Sequence, residues 1–168
     1  MVVWKAVSTS VEMTEALGEA MGRVSVSGDI LTLDGDLGAG KTAFTRGFSR
    51  GMGLRSRVTS PTFTIVNEYS DKDGVPKLFH FDTYRLGNSD DFYDAGLDEY
   101  FTRGGVCVIE WGKVIEDALP SDRIRMEIAG NGDEREITFS IAEKDLARMK
   151  TVREEMEKGG MRFEDIGV

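Results

Sequence analysis

Hydrophobic and polar positions along this chain follow two periods, and the switches between them mark out the elements. From Ser10 to Val24, "SVEMTEALGEAMGRV" repeats apolar residues at helical spacing (Val11, Leu17, Ala20, Met21 and Val24), with Ser10 or Thr14 placed to cap the first turn. "GDILTLDG" is a short β run bounded by turn residues, and "KTAFTRGFSRGMG" is a helix with Phe44 and Phe48 at i and i+4, closed by Gly53. Gly47 and Gly51 each cost that helix about 1 kcal/mol of propensity. Close packing is therefore expected there, against the backbone of the sheet.

Downstream, "PTFTIVNEY" alternates as a strand, "DKDG" turns the chain, and "VPKLFHFDTY" returns as a second strand. "DDFYDAGLDEYF" reads as two short helical pieces, "GVCVIEW" as a buried strand, and "KVIEDALP" as a short helix stopped by Pro120. "RIRMEIAGNGDEREITFSI" is a hairpin turning at "GNGDE", and a charged helix runs from about Ala142 to Lys158. Its pattern is that of a solvated helix with i,i+4 ion pairs, with partner binding as the alternative. The tail "GGMRFEDIGV" is expected to fray.

Composition narrows this. At 168 residues and 40% hydrophobic content the chain supports one core, so residues 1–168 read as a single domain, with about 143–168 as a C-terminal helical extension. Cys107 is the only cysteine and cannot form an internal disulfide. No apolar run approaches the roughly 18 to 20 residues of a membrane span, and the first residues lack the pattern of a signal peptide. A cytoplasmic location with no membrane contact is the expectation. Thirty acidic residues against 21 basic ones give a net charge of −9, and no lysine or arginine stripe offsets it. Such a balance repels nucleic acid from a broad surface, although a local basic spot could survive it.

The chemistry concentrates in "LDGDLGAGKTAF". Gly35, Gly40, Lys41 and Thr42 fit G-x-x-x-x-G-K-[ST], the phosphate-binding loop, at the end of a predicted strand and the start of a predicted helix. The glycines let backbone N–H groups curl round a phosphate, the lysine reaches the β/γ oxygens, and the threonine hydroxyl faces Mg²⁺. The ATP-binding segment is thus Gly35, Asp36, Leu37, Gly38, Ala39, Gly40, Lys41, Thr42 and Ala43. The guanine motif N-K-x-D is absent, and the one D-x-x-G (Asp71 to Gly74) sits in a polar turn, so ATP is favoured over GTP. The expected fold is α/β, a three-layer domain like that of P-loop NTPases. Its mixed sheet is parallel around this loop and antiparallel at "TFTIVNEY"/"KLFHFD" and in the C-terminal hairpin.

Asp82 and Glu110 each end a hydrophobic strand, where either could coordinate Mg²⁺ or orient an attacking water. Asp34 and Asp36 flank the loop, with turn and solubility roles as the alternative. Trp111 could stack on a base or complete the core, and His80 could be a core side chain or a base. Thr59, Ser60, Thr62 and Thr64 surround Pro61, where a hydroxyl could sense the γ-phosphate or simply belong to a turn. Arg85 is the candidate arginine finger. The chain has no arginine-rich lid after the central strands, which argues against a small-molecule kinase. A nucleotide-dependent docking module with negligible hydrolysis is the other alternative.

Five stretches in order, "GDLGAGKT", "SPTFTIVNEY", "HFDTYRL", "GLDEYF" and "VIEWGK…LP", resemble the TsaE (YjeE) family over about residues 10 to 142. That resemblance implies a Mg²⁺-dependent ATPase that assists threonylcarbamoyladenosine modification of tRNA. It implies that Lys41 binds phosphate, that Thr42 and Glu110 hold the metal, and that Asp82 is a second essential acid. Ser60, Pro61 and Thr62 would form a switch-like segment, with Trp111 beside the nucleotide. The implied partners are TsaD and TsaB, which transfer the threonylcarbamoyl group made by TsaC to adenosine 37 of tRNAs reading ANN codons. ATP hydrolysis would reset that assembly, and tRNA would be met only indirectly through it.

Overall fold

The computed structural model describes residues 1–36, 40–54, 57–61 and 64–167. The strands are β1 (Val2–Ser8), β2 (Ile30–Asp34), β3 (Val66–Ser70), β4 (Pro76–Asp82), β5 (Val106–Glu110), β6 (Ile124–Asn131), β7 (Glu134–Ile141) and β8 (Arg162–Gly167). The helices are α1 (Val11–Val24), α2 (Lys41–Gly51), α3 (Ser89–Asp94) and α4 (Glu143–Lys158), joined by 3₁₀ segments at Leu97–Thr102 and Gly112–Ala118. The eight strands among the described residues share one sheet, in the order β3-β4-β5-β2-β6-β7-β1-β8.

The mixed α/β architecture is the expected one. β4, β5, β2 and β6 run parallel. The hairpins β3–β4 and β6–β7 and the pairs β7–β1 and β1–β8 are antiparallel. β5 is buried at every position, as a central parallel strand covered on both faces should be. One face of the sheet packs Leu33 and Phe139 against Leu17 of α1, Phe44 of α2 and Met149 of α4. The other face packs Phe79, Phe81 and Ile109 against Phe92 of α3 and Ile115 of the second 3₁₀ segment. Cys107 lies in this second cluster, where burial pushes its thiol up to about 12, so it stays protonated and unreactive.

Local signals explain the boundaries. Ser10 caps α1 by accepting the Met13 N–H at 3.0 Å. α2 stops where Gly53, at φ 80°, turns its N–H back to the Arg50 carbonyl. The hairpin β6–β7 turns on Gly132 and Asp133, the former at φ 65°.

Four expectations are corrected, and one strand is added where none was expected. The N-terminal run carries a strand, β1, that the periodicity of the chain does not announce. The tail does not fray, because β8 pairs with β1 and Phe163 packs edge-on to Trp4 at 6.3 Å. α4 is not simply solvated: it buries Asp145, Met149, Val152 and Met156, and its Arg148 grips Asp29 with two bonds of 2.6 and 2.8 Å. The strand expected from Pro61 begins only at Val66, because the N–H groups of Thr64 and Ile65 both return to the Pro61 carbonyl. Gly47 and Gly51 meet the backbone of α1 rather than the sheet, with Glu15 and Glu19 carbonyls where a Cβ would stand.

Candidate functional site

The site lies where β2, β4 and β5 end together. Pairing sets Leu33 beside Glu110 and Glu110 beside Asp82, so the ends of three adjacent parallel strands are level. That is where an open α/β sheet collects ligands. β2 leads into the loop through Gly35, whose φ of 154° and close approach to β6 admit no side chain: a Cβ would stand 2.2 Å from the Ile128 carbonyl oxygen. The loop meets α2 at Gly40, in the left-handed region at φ 101°, and among the described residues no side chain caps that helix. Its first N–H groups therefore point, uncapped, to where the loop closes.

Lys41 opens α2 and is 5% exposed. Its Nζ donates to the Gly35 carbonyl at 2.6 Å, lies 3.8 Å from Glu110 Oε1, and sits 4.4 Å from the centre of the Trp111 ring. Lys41, Glu110 and Trp111, far apart in sequence, thus meet around one ammonium group. Glu110 is 4% exposed, and its other oxygen, Oε2, lies 2.6 Å from His80 Nε2. Asp82 is buried at the end of β4 and accepts the Tyr84 N–H at 3.0 Å.

Trp111 is not a core residue. It is half-buried, held in the left-handed region at φ 63°, and its ring lies 4.9 Å from that of Tyr84, itself 62% exposed. Thr83 clamps the bend: its N–H donates to the Glu110 carbonyl at 3.1 Å and its hydroxyl to the Trp111 carbonyl at 2.7 Å. A bulky residue in this conformation is strained, which is common at functional sites.

The other candidates fall as follows. Thr42 is half-buried and Ala43 buried in the first turn of α2, and Asp36 is exposed beside Gly35. Leu37, Gly38, Ala39 and Thr62 lie outside the described residues. Ser60 is exposed and Pro61 buried, one residue beyond Thr59, whose backbone is bracketed by the Tyr69 hydroxyl at 3.1 and 3.2 Å. Arg85 is exposed. His80 is wholly buried, and its bond to Glu110 joins it to the site, which the sequence around it does not announce.

Asp34 belongs to the opposite face, where its Oδ1 accepts the Lys113 N–H at 3.3 Å. Burial is the main influence on its carboxyl and raises it above the ordinary value of 3.8, outweighing the Lys113 contacts. A carboxyl with a raised folded-state pKa favours folding at low pH and penalises it once pH climbs past the unfolded value. Asp34→Asn, which keeps the acceptor oxygen, is expected to raise Tm near pH 7, with the gain fading as pH falls to 3.8 and below. Melting curves of both proteins between about pH 3 and 8 check this. A pH-independent offset would contradict it.

Comparison with known proteins follows the same lines. A family model described as "Threonylcarbamoyl adenosine biosynthesis protein TsaE" matches residues 8–137. The tRNA threonylcarbamoyladenosine biosynthesis protein TsaE of Bacillus subtilis is 49% identical over 138 residues, covering 82% of this chain and 84% of the relative. The protein of the same name from Treponema pallidum is 39% identical over 138 residues, covering 81% and 99%. The crystal structure of Bacillus subtilis YdiB superimposes with a TM-score of 0.73 at 40% identity, covering 95% of this chain and 98% of that one. Sequence and fold agree: the chain belongs to the TsaE family.

Proposed function

We propose that the protein binds ATP with Mg²⁺ at the end of β2 and hydrolyses it in support of tRNA threonylcarbamoyladenosine biosynthesis, working with TsaD and TsaB. The observation that carries the reading is an N-terminus of α2 that is uncapped among the described residues, next to a buried lysine with one close hydrogen-bond acceptor among them. A helix N-terminus and a buried ammonium together favour a polyanion such as a triphosphate.

The side chains divide the work. Lys41 exchanges its bond to Gly35 for phosphate oxygens, and the α2 N–H groups hold the adjoining phosphate. Glu110 and Asp82, side by side on neighbouring strands, supply the acids, and Trp111 borders the nucleotide. Thr42 and Glu110 are the donors for the metal. Hydroxyl and carboxylate oxygens suit Mg²⁺, which in such sites completes its shell with water and phosphate. Among the described residues no group of three or more His, Cys, Asp or Glu forms a separate cage. When bound, Mg²⁺ would neutralise charge on the phosphates.

Hydrolysis resets the TsaD–TsaB assembly, ATP and ADP favouring different docked geometries. tRNA is contacted through the partners, in keeping with the net charge of −9. No helix among the described residues is long and apolar enough to cross a membrane.

Steady-state ATP hydrolysis, alone and with TsaD and TsaB, tests the reading, with Lys41→Ala as the blank. The expected outcome is stimulation of about tenfold or more by the partners, absent from the variant. Tight ATP binding without stimulation would favour a docking module instead.

A further inference from the structure

Glu110 is held twice from the β4 side of the site. Thr83, just past the end of β4, fixes its backbone through the N–H bond to the Glu110 carbonyl, and His80 engages its side chain at 2.6 Å. We propose that His80 is a positioning residue: it ties down one oxygen of the Glu110 carboxylate, so that the other is presented to Lys41 and to the phosphate end of the site. Its functional consequence rests on the ATP reading above, whereas its geometry does not.

Register explains why a histidine can do this. His80 pairs with Val108, so Glu110 lies two residues further along the neighbouring strand and on the same face. That diagonal is too long for a short side chain but within reach of an imidazole. The ring is wholly buried between strand neighbours Phe79 and Phe81, which face the other way into the second hydrophobic cluster. With a carboxylate as acceptor the proton belongs on Nε2, leaving Nδ1 as an acceptor. Nδ1 is buried and has no hydrogen-bond partner among the described residues. An apolar side chain would fill this space without stranding a ring nitrogen. What the histidine adds is therefore its Nε2–H bond to Glu110.

The consequence concerns orientation. Oε2 is taken by His80, and Oε1 is the oxygen 3.8 Å from Lys41 Nζ. A carboxylate free to rotate would present either oxygen. One tied at Oε2 offers a single, prepared acceptor.

His80 is the only histidine in the chain, so one imidazole ring appears in a long-range ¹H–¹⁵N spectrum of the intact protein. The expected spectrum shows a proton on Nε2, strongly downfield, moving upfield in Glu110→Gln. A proton on Nδ1 alone, or an Nε2–H signal indifferent to Glu110→Gln, would overturn the proposal. In turnover assays, His80→Leu is expected to lower kcat about 10- to 100-fold with ATP affinity changed less than about threefold. His80→Gln, whose amide can donate to the same oxygen, should recover most of that loss. A leucine variant as active as wild type, or a glutamine variant no better than leucine, also sinks the idea. If the leucine variant fails to fold, the ring spectrum and the glutamine variant decide. A wild-type protein that hydrolyses no ATP, even with its partners, would remove the hydrolysis reading while the spectrum still judges the His80 bond.

Discussion

Lys41→Ala is expected to lower the proposed ATP turnover by a factor of at least about 100, and to remove the thermal stabilisation that ATP with Mg²⁺ is expected to give the wild-type protein. The reason lies in how the ammonium is held. A lysine has three donors, and at 5% exposure Lys41 has little access to water for them. The Gly35 carbonyl takes one at 2.6 Å, while the Glu110 oxygen at 3.8 Å is beyond hydrogen-bond reach and the Trp111 face offers only its quadrupole. Among the described residues the ammonium is nearly dry and has a single close acceptor, so on the proposed reading a triphosphate would supply the bonds it lacks. Because the arrangement exists before the ligand arrives, little reorganisation is needed when charge develops on the phosphate.

The same geometry predicts a small effect on the nucleotide-free protein. Glu110 keeps its bond to His80, and the lost contact with Lys41 was not a close one. Lys41→Ala should cost the nucleotide-free protein less than the roughly 3 to 5 kcal/mol of breaking a closely paired buried ion pair. Thermal melts separate the two effects. At about 100 times Kd, ligand adds about 2.7 kcal/mol to wild type, or roughly 5 to 10 °C in Tm for a domain of this size. The variant should show no such rise. A variant that retains both the rise and turnover within about threefold of wild type would refute the role given to Lys41.

The parts legible in sequence are those fixed by local signals. The loop pattern is readable because it calls for glycine and lysine at fixed spacing, and the structure places Gly35 and Gly40 at positive φ and Lys41 at the first helical position. Strands β2 and β5 are legible because each is a short, mainly apolar run ending in an acid, as central parallel strands of an α/β sheet read. β1 is hidden because its inward residues include Ala6 and Ser8, which carry almost no hydrophobic signal. β8, "RFEDIG", is a strand only because β1 lies ready to pair with it, and its mostly exposed side chains cannot announce that. His80 and Glu110 are 30 residues apart, and only the pairing of β4 with β5 brings them together. The sequence shows which residues are chemically able. The register decides which of them touch.

Glycine at the crossing of α1 and α2 is where sequence showed the cost without the cause, and there Gly47→Ala will destabilise the protein by about 2 to 3 kcal/mol. A Cβ at Gly47 would stand 2.0 Å from the Glu15 carbonyl oxygen, and Gly18, Gly22 and Gly51 each face a carbonyl of the opposite helix at 2.1 to 2.2 Å. Each helix thus presents a pair of glycines at i and i+4, and the backbones approach closely enough for Cα–H groups to meet carbonyl oxygens. Ion pairs flank the crossing, among them Arg50 to Glu19 at 3.1 Å. If Gly47 were there only for flexibility, alanine would stabilise the helix by about 1 kcal/mol, so the sign of the change separates the two explanations. Backbone cannot swing aside as a side chain would, and α2 must move away from α1. The expected fall in Tm is roughly 5 to 10 °C, measured by calorimetry or far-UV circular dichroism. Since Lys41 is the first residue of the displaced helix, ATP affinity should weaken with it. A rise in Tm, or unchanged affinity alongside the fall, would show that the crossing does not set the position of the lysine.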